Sequence, residues 1–246
     1  MNLIEEEISK SEAYILKPNC NCPDLVELSV DNVARVEAII CNDSRFVKIS
    51  DKGNLNSSAF SIIEFKKAWE SKDYNKCSNL IDQIVERIDS ENGTHLNADG
   101  VGRKEITGRI KNLGMDRLIE ELKNPEKNNY ELITVIRKAT HPKEKSNSGK
   151  KYRPRKNISF ASKFCHYMCF YLFEGKAEQD NYSIYDSVVA SALPKYQNFY
   201  KCDMALKKKD FNYVDYIRTI DGIIEKSGSN ISRNGFDHLL WYYHNK

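Results

Sequence analysis

Apolar residues recur at intervals of three and four along most of this chain, and that spacing is typical of amphipathic helices. The clearest pattern covers residues 60–69, where Ile62, Phe65 and Trp69 recur at this spacing. Pro194 is expected to end the helix that starts at Asp186, since proline lacks the amide that a helix interior needs. The periodicity predicts helices over residues 60–69, 79–88, 103–112, 115–123, 129–138, 158–174, 186–193, 213–227 and 233–243.

Residues that favour strands cluster between positions 24 and 49. Within that region, residues 31–41 fit either a strand or a helix. We favour a helix, because Asp31 is a typical N-cap residue and the apolar positions 33, 36, 39 and 40 share one helical face. The predicted fold class is therefore mainly α, with short strands near the N-terminus.

Length and composition are those of a globular protein, with 246 residues of which 40% are hydrophobic and 30% charged. Such a length suits one continuous globular domain or smaller regions. We divide the chain into a mostly helical region over residues 1–140, a basic loop over 141–157 and a helical region over 158–246. No apolar run approaches the ~18 residues of a membrane span, and the acidic N-terminus lacks a signal-peptide pattern. We therefore expect a cytoplasmic protein with no membrane partner.

Seven cysteines are scattered through the chain. An odd, dispersed set in a cytoplasmic protein indicates free thiols and not a disulfide framework. Cys20 and Cys22 form a C-x-C pair, but no further ligands follow at the spacing of a zinc motif, so we predict no metal site. Cys165 and Cys169 lie one turn apart on an apolar helix and are expected to be buried thiols.

The main candidate for chemistry is a lysine at the start of an apolar helix, with an aspartate that opens a second helix 23 residues later (186 − 163). An amine paired with a carboxylate can attack an electrophilic carbon while the carboxylate stabilises developing positive charge. Lys163 and Asp186 are these residues. Each also has a purely structural interpretation, because lysines on helices are usually exposed and aspartate is a frequent N-cap.

The residues around this pair resemble a known motif. Ser159-Phe-Ala-Ser-Lys163, followed by the apolar helix over residues 164–173, resembles the second half of the helix-hairpin-helix motif in base-excision DNA glycosylases, and most closely their 8-oxoguanine glycosylase branch. The segment Ile184-Tyr-Asp186-Ser-Val-Val is similar to the aspartate segment of that family. The resemblance covers about residues 150–246, and it departs from the family where Ser159 and Ala161 replace the two hairpin glycines.

This resemblance implies a helix-hairpin-helix, glycosylase-like fold and an enzyme that excises a damaged or modified base from DNA. It implies that Lys163 is the nucleophile that forms a Schiff base, that Asp186 is the catalytic aspartate, and that no metal or organic cofactor takes part. Because the hairpin glycines are missing, a second interpretation stays open. In that interpretation the same fold is a non-catalytic module that binds nucleic acid or protein.

A basic run leads into the candidate helix, with seven Lys or Arg and one Glu over residues 143–156. Its cations suit phosphates, and its tyrosine can stack on a base. The formal net charge of +3 is too small to indicate a polyanionic partner by itself. The local clustering nevertheless predicts a nucleic-acid interface, with DNA as the expected partner, at Lys150, Lys151, Tyr152, Arg153, Arg155 and Ser159.

A rival motif, Gly100-Val-Gly102-Arg-Lys104, matches the Gly-x-Gly-x-Lys hairpin literally. The residues after it are too polar for the apolar helix of the motif, and no aspartate segment follows at a suitable spacing. We interpret it as part of a plain polar loop over residues 90–102, with a phosphate-contacting loop as the alternative.

Overall fold

The computed structural model describes residues 16–42, 57–96, 102–138, 157–202 and 211–245. Within these ranges the chain forms ten α-helices and one antiparallel pair of short strands, which confirms the predicted mainly α class with strands near the N-terminus. The elements are β1 (Pro18–Asn19), β2 (Cys22–Val26), α1 (Val30–Asn42), α2 (Ser58–Glu70), α3 (Tyr74–Asn92), α4 (Gly102–Leu113), α5 (Met115–Lys123), α6 (Glu131–Arg137), α7 (Ile158–Leu172), α8 (Ser187–Tyr200), α9 (Tyr213–Ser227) and α10 (Arg233–His244).

The chain divides into two units that differ from the regions drawn on the sequence. The terminal unit comprises residues Met1–Asp51 and Asp186–Lys246, and the central unit comprises Lys52–Tyr185. Of the predicted basic loop over residues 141–157, only Asn157 lies among the described residues. The division of the sequence at that loop therefore stays a prediction.

Helix α7 lies at the core of the central unit and contacts α2, α3, α5 and α6. Its apolar side chains Phe160, Phe164 and Met168 are at most 1% exposed. A helix that is apolar on nearly every face is stable only when neighbouring helices cover it, as they do here. The aliphatic residues predicted to share a face of α3 are also buried, and α3 contacts α2 and α4.

In the terminal unit, a buried tyrosine of α8 joins the β1–β2 hairpin to the end of α10. The Tyr196 hydroxyl accepts a hydrogen bond from the Val26 amide at 2.9 Å and lies 3.0 Å from Nε2 of His244. On α1, Asn32 donates to the Lys17 carbonyl and accepts from the Lys17 amide, both at 2.9 Å. The two strands are too short to pair all of their backbone groups with each other. These side-chain hydrogen bonds therefore satisfy backbone amides and carbonyls that would otherwise lack partners.

Two sequence predictions near these elements have opposite outcomes. The helix favoured over residues 31–41 is confirmed, since α1 covers Val30–Asn42. The expected end of the next helix at Pro194 is wrong, because α8 continues to Tyr200 with the proline inside it. Pro194 lies on an exposed face, so its ring is accommodated, and the continuation buries Tyr196 completely. The packing of that large side chain outweighs the one helical hydrogen bond that proline removes.

Candidate catalytic site

The residues that the resemblance assigns to a hairpin are helical. Helix α7 begins at Ile158, so Ser159 and Lys163 both lie inside it. The amide of Ala161 donates to the Asn157 carbonyl at 2.9 Å and closes the first helical turn. Residues with a Cβ do not cheaply take the positive φ of a glycine hairpin, which agrees with this outcome. The helix predicted over residues 158–174 is confirmed to within two residues at its end.

Lys163 is buried, with a relative exposure of 8%. The interpretation as an exposed helix lysine is therefore wrong. It is the sixth residue of α7, so it also lies beyond the first turn, where the helix dipole acts most strongly, and not at the helix start. The rings of Phe160 and Phe164 on the same helix are buried and stacked at 6.2 Å. Lysines are rarely buried to this degree, because desolvating an ammonium group carries a large free-energy cost.

Asp186 is the N-cap of α8, as its position in the sequence predicts. One carboxylate oxygen, Oδ1, accepts hydrogen bonds from the amides of Val188 and Val189 at 3.0 and 3.1 Å. The side chain is 9% exposed. The cap thus holds the carboxylate in one position at the beginning of α8. Lys163 belongs to the central unit, and Asp186 begins the second part of the terminal unit.

The connection before Asp186, residues Asn181–Tyr185, is here called the anchor segment. Its last residue binds α7, because the Tyr185 amide donates to Oγ of Ser162 at 2.9 Å. The single hydroxyl proton of Ser162 has the Ser159 carbonyl at 3.0 Å and the Tyr185 carbonyl at 3.4 Å, and the shorter contact is the better hydrogen bond. Ser162 and Tyr185, which immediately precede Lys163 and Asp186 in the sequence, are thus hydrogen-bonded to each other.

A histidine holds the other end of the anchor segment. Nδ1 of His166, one turn further along α7, lies 2.8 Å from the Tyr182 carbonyl oxygen in a buried contact. A carbonyl oxygen only accepts, so Nδ1 carries the proton. The Tyr182 hydroxyl donates to the Glu121 carbonyl at 3.0 Å, and the Asn181 side-chain amide donates to carbonyls at the end of α5. The anchor segment is therefore fixed to both α5 and α7.

Only one residue of the predicted nucleic-acid interface lies among the described residues. Ser159 is half-buried in the first turn of α7, where backbone amides have no helical acceptors. Beside it, Asn157 is 7% exposed, and its side-chain nitrogen makes no hydrogen bond within the described structure. The first turn of α7 therefore contains hydrogen-bond donors and no acidic side chain. The other candidates lie outside the described residues: Lys150, Lys151, Tyr152, Arg153 and Arg155.

The rival Gly-x-Gly-x-Lys motif has a structural role at its second glycine. A Cβ on Gly102 would lie 2.0 Å from the Leu96 carbonyl oxygen, so glycine is what allows α4 to start so close to that backbone. Arg103 Nε donates to buried Asp89 at 2.7 Å. Burial alone would raise the pKa of Asp89, but hydrogen bonds from the Leu96 amide, Thr94 and Arg103 hold it below its ordinary value. The predicted loop over 90–102 is also shorter at both ends, since α3 reaches residue 92 and α4 begins at 102.

The cysteines of α7 are inert thiols. Cys165 and Cys169 are fully buried, as predicted, and burial raises the pKa of both thiols well above the ordinary value. The nucleophilic form of cysteine is the thiolate, so neither is a nucleophile at neutral pH. In the described part of the chain, no group of three or more His, Cys, Asp or Glu side chains is arranged to hold a metal ion.

Ser162 and His166 are not among the functional residues predicted from the sequence. For His166 a signal exists, because it interrupts the apolar run from Phe164 to Phe173. For Ser162 there is none, since small polar residues are common in helices and its partner Tyr185 is 23 residues away (185 − 162).

Comparison with protein-family models, with curated proteins and with known structures found no match to this chain. None of the helices in the described ranges is both long and apolar enough to cross a membrane. The residues of the site therefore carry the functional argument.

Proposed function

We propose that this protein is a DNA glycosylase-like enzyme that excises a damaged or modified base through a lysine Schiff base, with Lys163 as nucleophile and Asp186 as its carboxylate partner in catalysis. The observation that carries the proposal is the burial of Lys163 on an apolar helix. The adjacent Ser162 supports it, since it binds the residue before Asp186. A buried lysine on an apolar helix is a setting in which lysine can act as a nucleophile.

The chemistry follows from these two groups. The nitrogen lone pair of Lys163 attacks C1′ of the target nucleotide, and the base leaves with the electrons of the glycosidic bond and takes up the proton that the attacking amine releases. The nitrogen lone pair then forms a double bond to C1′ as the C1′–O4′ bond breaks; O4′ takes up a proton from solvent, and the resulting iminium links C1′ to the lysine nitrogen. The Asp186 carboxylate stabilises the positive charge that develops on the sugar. The target nucleotide has to leave the base stack before this attack, which is usual for enzymes that act on bases.

Two features support nucleic acid as the substrate class. The first turn of α7 has backbone amides that lack helical acceptors, and beside them lies the buried Asn157 side-chain nitrogen; helix N-termini suit phosphate. The sequence that leads into α7 carries seven Lys or Arg over residues 143–156. Cations so placed bind phosphates through an attraction that salt weakens.

The test is covalent trapping with borohydride on duplex DNA that carries abasic, oxidised or alkylated sites. The wild type is expected to give a reduced adduct, and Lys163→Gln is expected to give none. DNA affinity should stay nearly the same, since one amine is a small part of the phosphate contacts. Lys195→Gln, at an exposed lysine of α8, is the control that should trap like the wild type. An active Lys163→Gln variant, or a wild type that traps nothing across the panel, would refute the proposal.

A second candidate function is a non-catalytic module that binds nucleic acid. The observation that favours it is the helical Ser159–Lys163 segment, which lacks the glycine hairpin of active glycosylases to which the sequence is similar. This module would bind DNA with a strong dependence on salt and give no borohydride adduct with any substrate. Salt-dependent binding and trapping, measured on the same protein, separate the two functions.

A further inference from the structure

We propose that Ser162 and His166 are positioning residues, which hold the anchor segment on α7 and thereby fix the chain that leads into Asp186. This inference rests on the proposed function. The two side chains are one helical turn apart (i, i+4) and therefore share a face of α7. Ser162 binds the amide of Tyr185 at 2.9 Å, and His166 binds the carbonyl of Tyr182 at 2.8 Å.

Burial protects the two bonds to different degrees. The His166–Tyr182 bond is fully buried, whereas the Ser162–Tyr185 bond is partly buried, because Ser162 is inaccessible but Tyr185 is half-buried. Water competes little for hydrogen bonds in such surroundings, and an unmade bond leaves a buried polar group unsatisfied. Each bond therefore constrains the backbone of the anchor segment more tightly than a surface bond of the same length.

Different contacts hold the two ends of the anchor segment. The Tyr182 end is held by His166 and also by its own side chain, which donates to the Glu121 carbonyl and packs edge-on against Tyr130 at 5.4 Å. The Tyr185 end is joined to α7 through Ser162. Removing the Ser162 hydroxyl is thus expected to loosen the residues next to Asp186 while the far end stays attached.

Such loosening matters for chemistry because covalent attack depends on near-ångström alignment. A displacement of about 1 Å in a reacting group lowers a rate by up to about 100-fold. We expect Ser162→Ala to slow Schiff-base formation in a single turnover by about 10- to 100-fold. The Kd for DNA should change by less than about twofold, since no phosphate contact is removed.

The matched control is Ser61→Ala in α2 of the same unit. Ser61 is fully buried like Ser162, donates to the Ser57 carbonyl at 3.2 Å and also contacts Arg87. Its hydrogen bonds in the described structure do not involve the anchor segment. Ser61→Ala should therefore weaken the fold to a similar extent as Ser162→Ala and leave the trapping rate of the folded protein unchanged.

Variants of His166 test the second bond independently. His166→Asn keeps a donor where Nδ1 stands, whereas His166→Phe keeps a ring that can stack on Phe170 but removes the donor. At conditions where both are folded, we expect His166→Asn to form the Schiff base faster than His166→Phe. The opposite order would show that the ring and not the hydrogen bond matters, and would overturn the role of His166.

Hydrogen exchange at the Tyr185 amide makes the outcomes distinguishable. Slow exchange in the wild type and faster exchange in Ser162→Ala, together with the slower trapping, support the inference. Faster exchange with a trapping rate equal to that of Ser61→Ala overturns it and leaves the proposed function intact. An unprotected Tyr185 amide in the wild type overturns it as well. A wild type that traps no substrate refutes the proposed function, and the positioning role falls with it.

Discussion

Gly102→Ala is the substitution for which the structure predicts the largest steric effect among the glycines of the described residues. An added Cβ would meet the Leu96 carbonyl oxygen at 2.0 Å and its carbon at 2.9 Å, and both are backbone atoms that cannot rotate away. Contacts of a real Cβ essentially never fall below 3.0 Å, so α4 or the Leu96 backbone has to move by at least 1.0 Å (3.0 − 2.0). Overpacking of this kind costs about 1–3 kcal/mol.

The same displacement strains the hydrogen bonds of a buried carboxylate. Asp89 accepts from the Leu96 amide at 2.9 Å and from Arg103 Nε at 2.7 Å, so it joins the two backbones that have to separate. Leaving one of these groups unsatisfied costs about a further 1–3 kcal/mol. We therefore expect Gly102→Ala to lower the free energy of unfolding by about 2–6 kcal/mol, the sum of these two effects.

Gly108→Ala in the same helix is the control, because its Cβ would have no heavy atom within 4 Å. It should stabilise the protein by about 0.5–1 kcal/mol, since alanine loses less backbone entropy in a helix than glycine. Urea unfolding of the two variants and the wild type measures both effects. If Gly102→Ala unfolds at the wild-type urea concentration but binds DNA more weakly, the glycine serves as a phosphate contact and the steric argument is wrong.

Three further predictions concern the terminal unit. Burial lowers the pKa of His238 to about 4, so the unfolded chain takes up a proton first as the pH falls below about 6.5. The free energy of unfolding should then decrease between about pH 6.5 and pH 4, by less than about 3 kcal/mol because the side chain keeps some exposure. In His238→Gln, the free energy of unfolding from urea titrations should change less over this pH range. Pro194→Ala should raise the free energy of unfolding by about 1–3 kcal/mol, since the new amide can bond the Ala190 carbonyl; an unchanged or lower value would contradict this. Tyr196→Phe should lower it by about 1–3 kcal/mol, because the buried Val26 amide loses its acceptor, and a variant as stable as the wild type would contradict the importance of this bond.

The elements of the fold were predictable where a local pattern determines them. The periodicity predicted α9 at the bounds it has in the structure, residues 213–227, because its apolar face is continuous and Asn212 and Gly228 mark its ends. It failed at Pro194, since the sequence of α8 alone does not show that Tyr196 is buried against the β-hairpin. The same limit applies to Gly102, whose requirement for glycine comes from the approach of a separate backbone segment.

The residues of the candidate site were also predictable only where a local pattern determines their role. Asp186 was predictable as an N-cap, because the signal for a cap lies within three residues of it. The burial of Lys163 was not predictable from its own type, since lysine is usually exposed and the helices that cover α7 are distant in sequence. Ser162 acquires its significance only through Tyr185, so no local pattern points to it.

Helix α7 buries three polar side chains, Ser162, Lys163 and His166, in an otherwise apolar run, and their environments indicate different roles. Ser162 and His166 bind the anchor segment, so folding of that segment explains why each is polar. At Lys163, an apolar side chain would fill the same space without the cost of desolvating an ammonium group. Variants of Ser162 and His166 should therefore lower stability and rate together. A Lys163 variant should remove the covalent chemistry entirely, and a lysine with a purely structural role would not produce that difference.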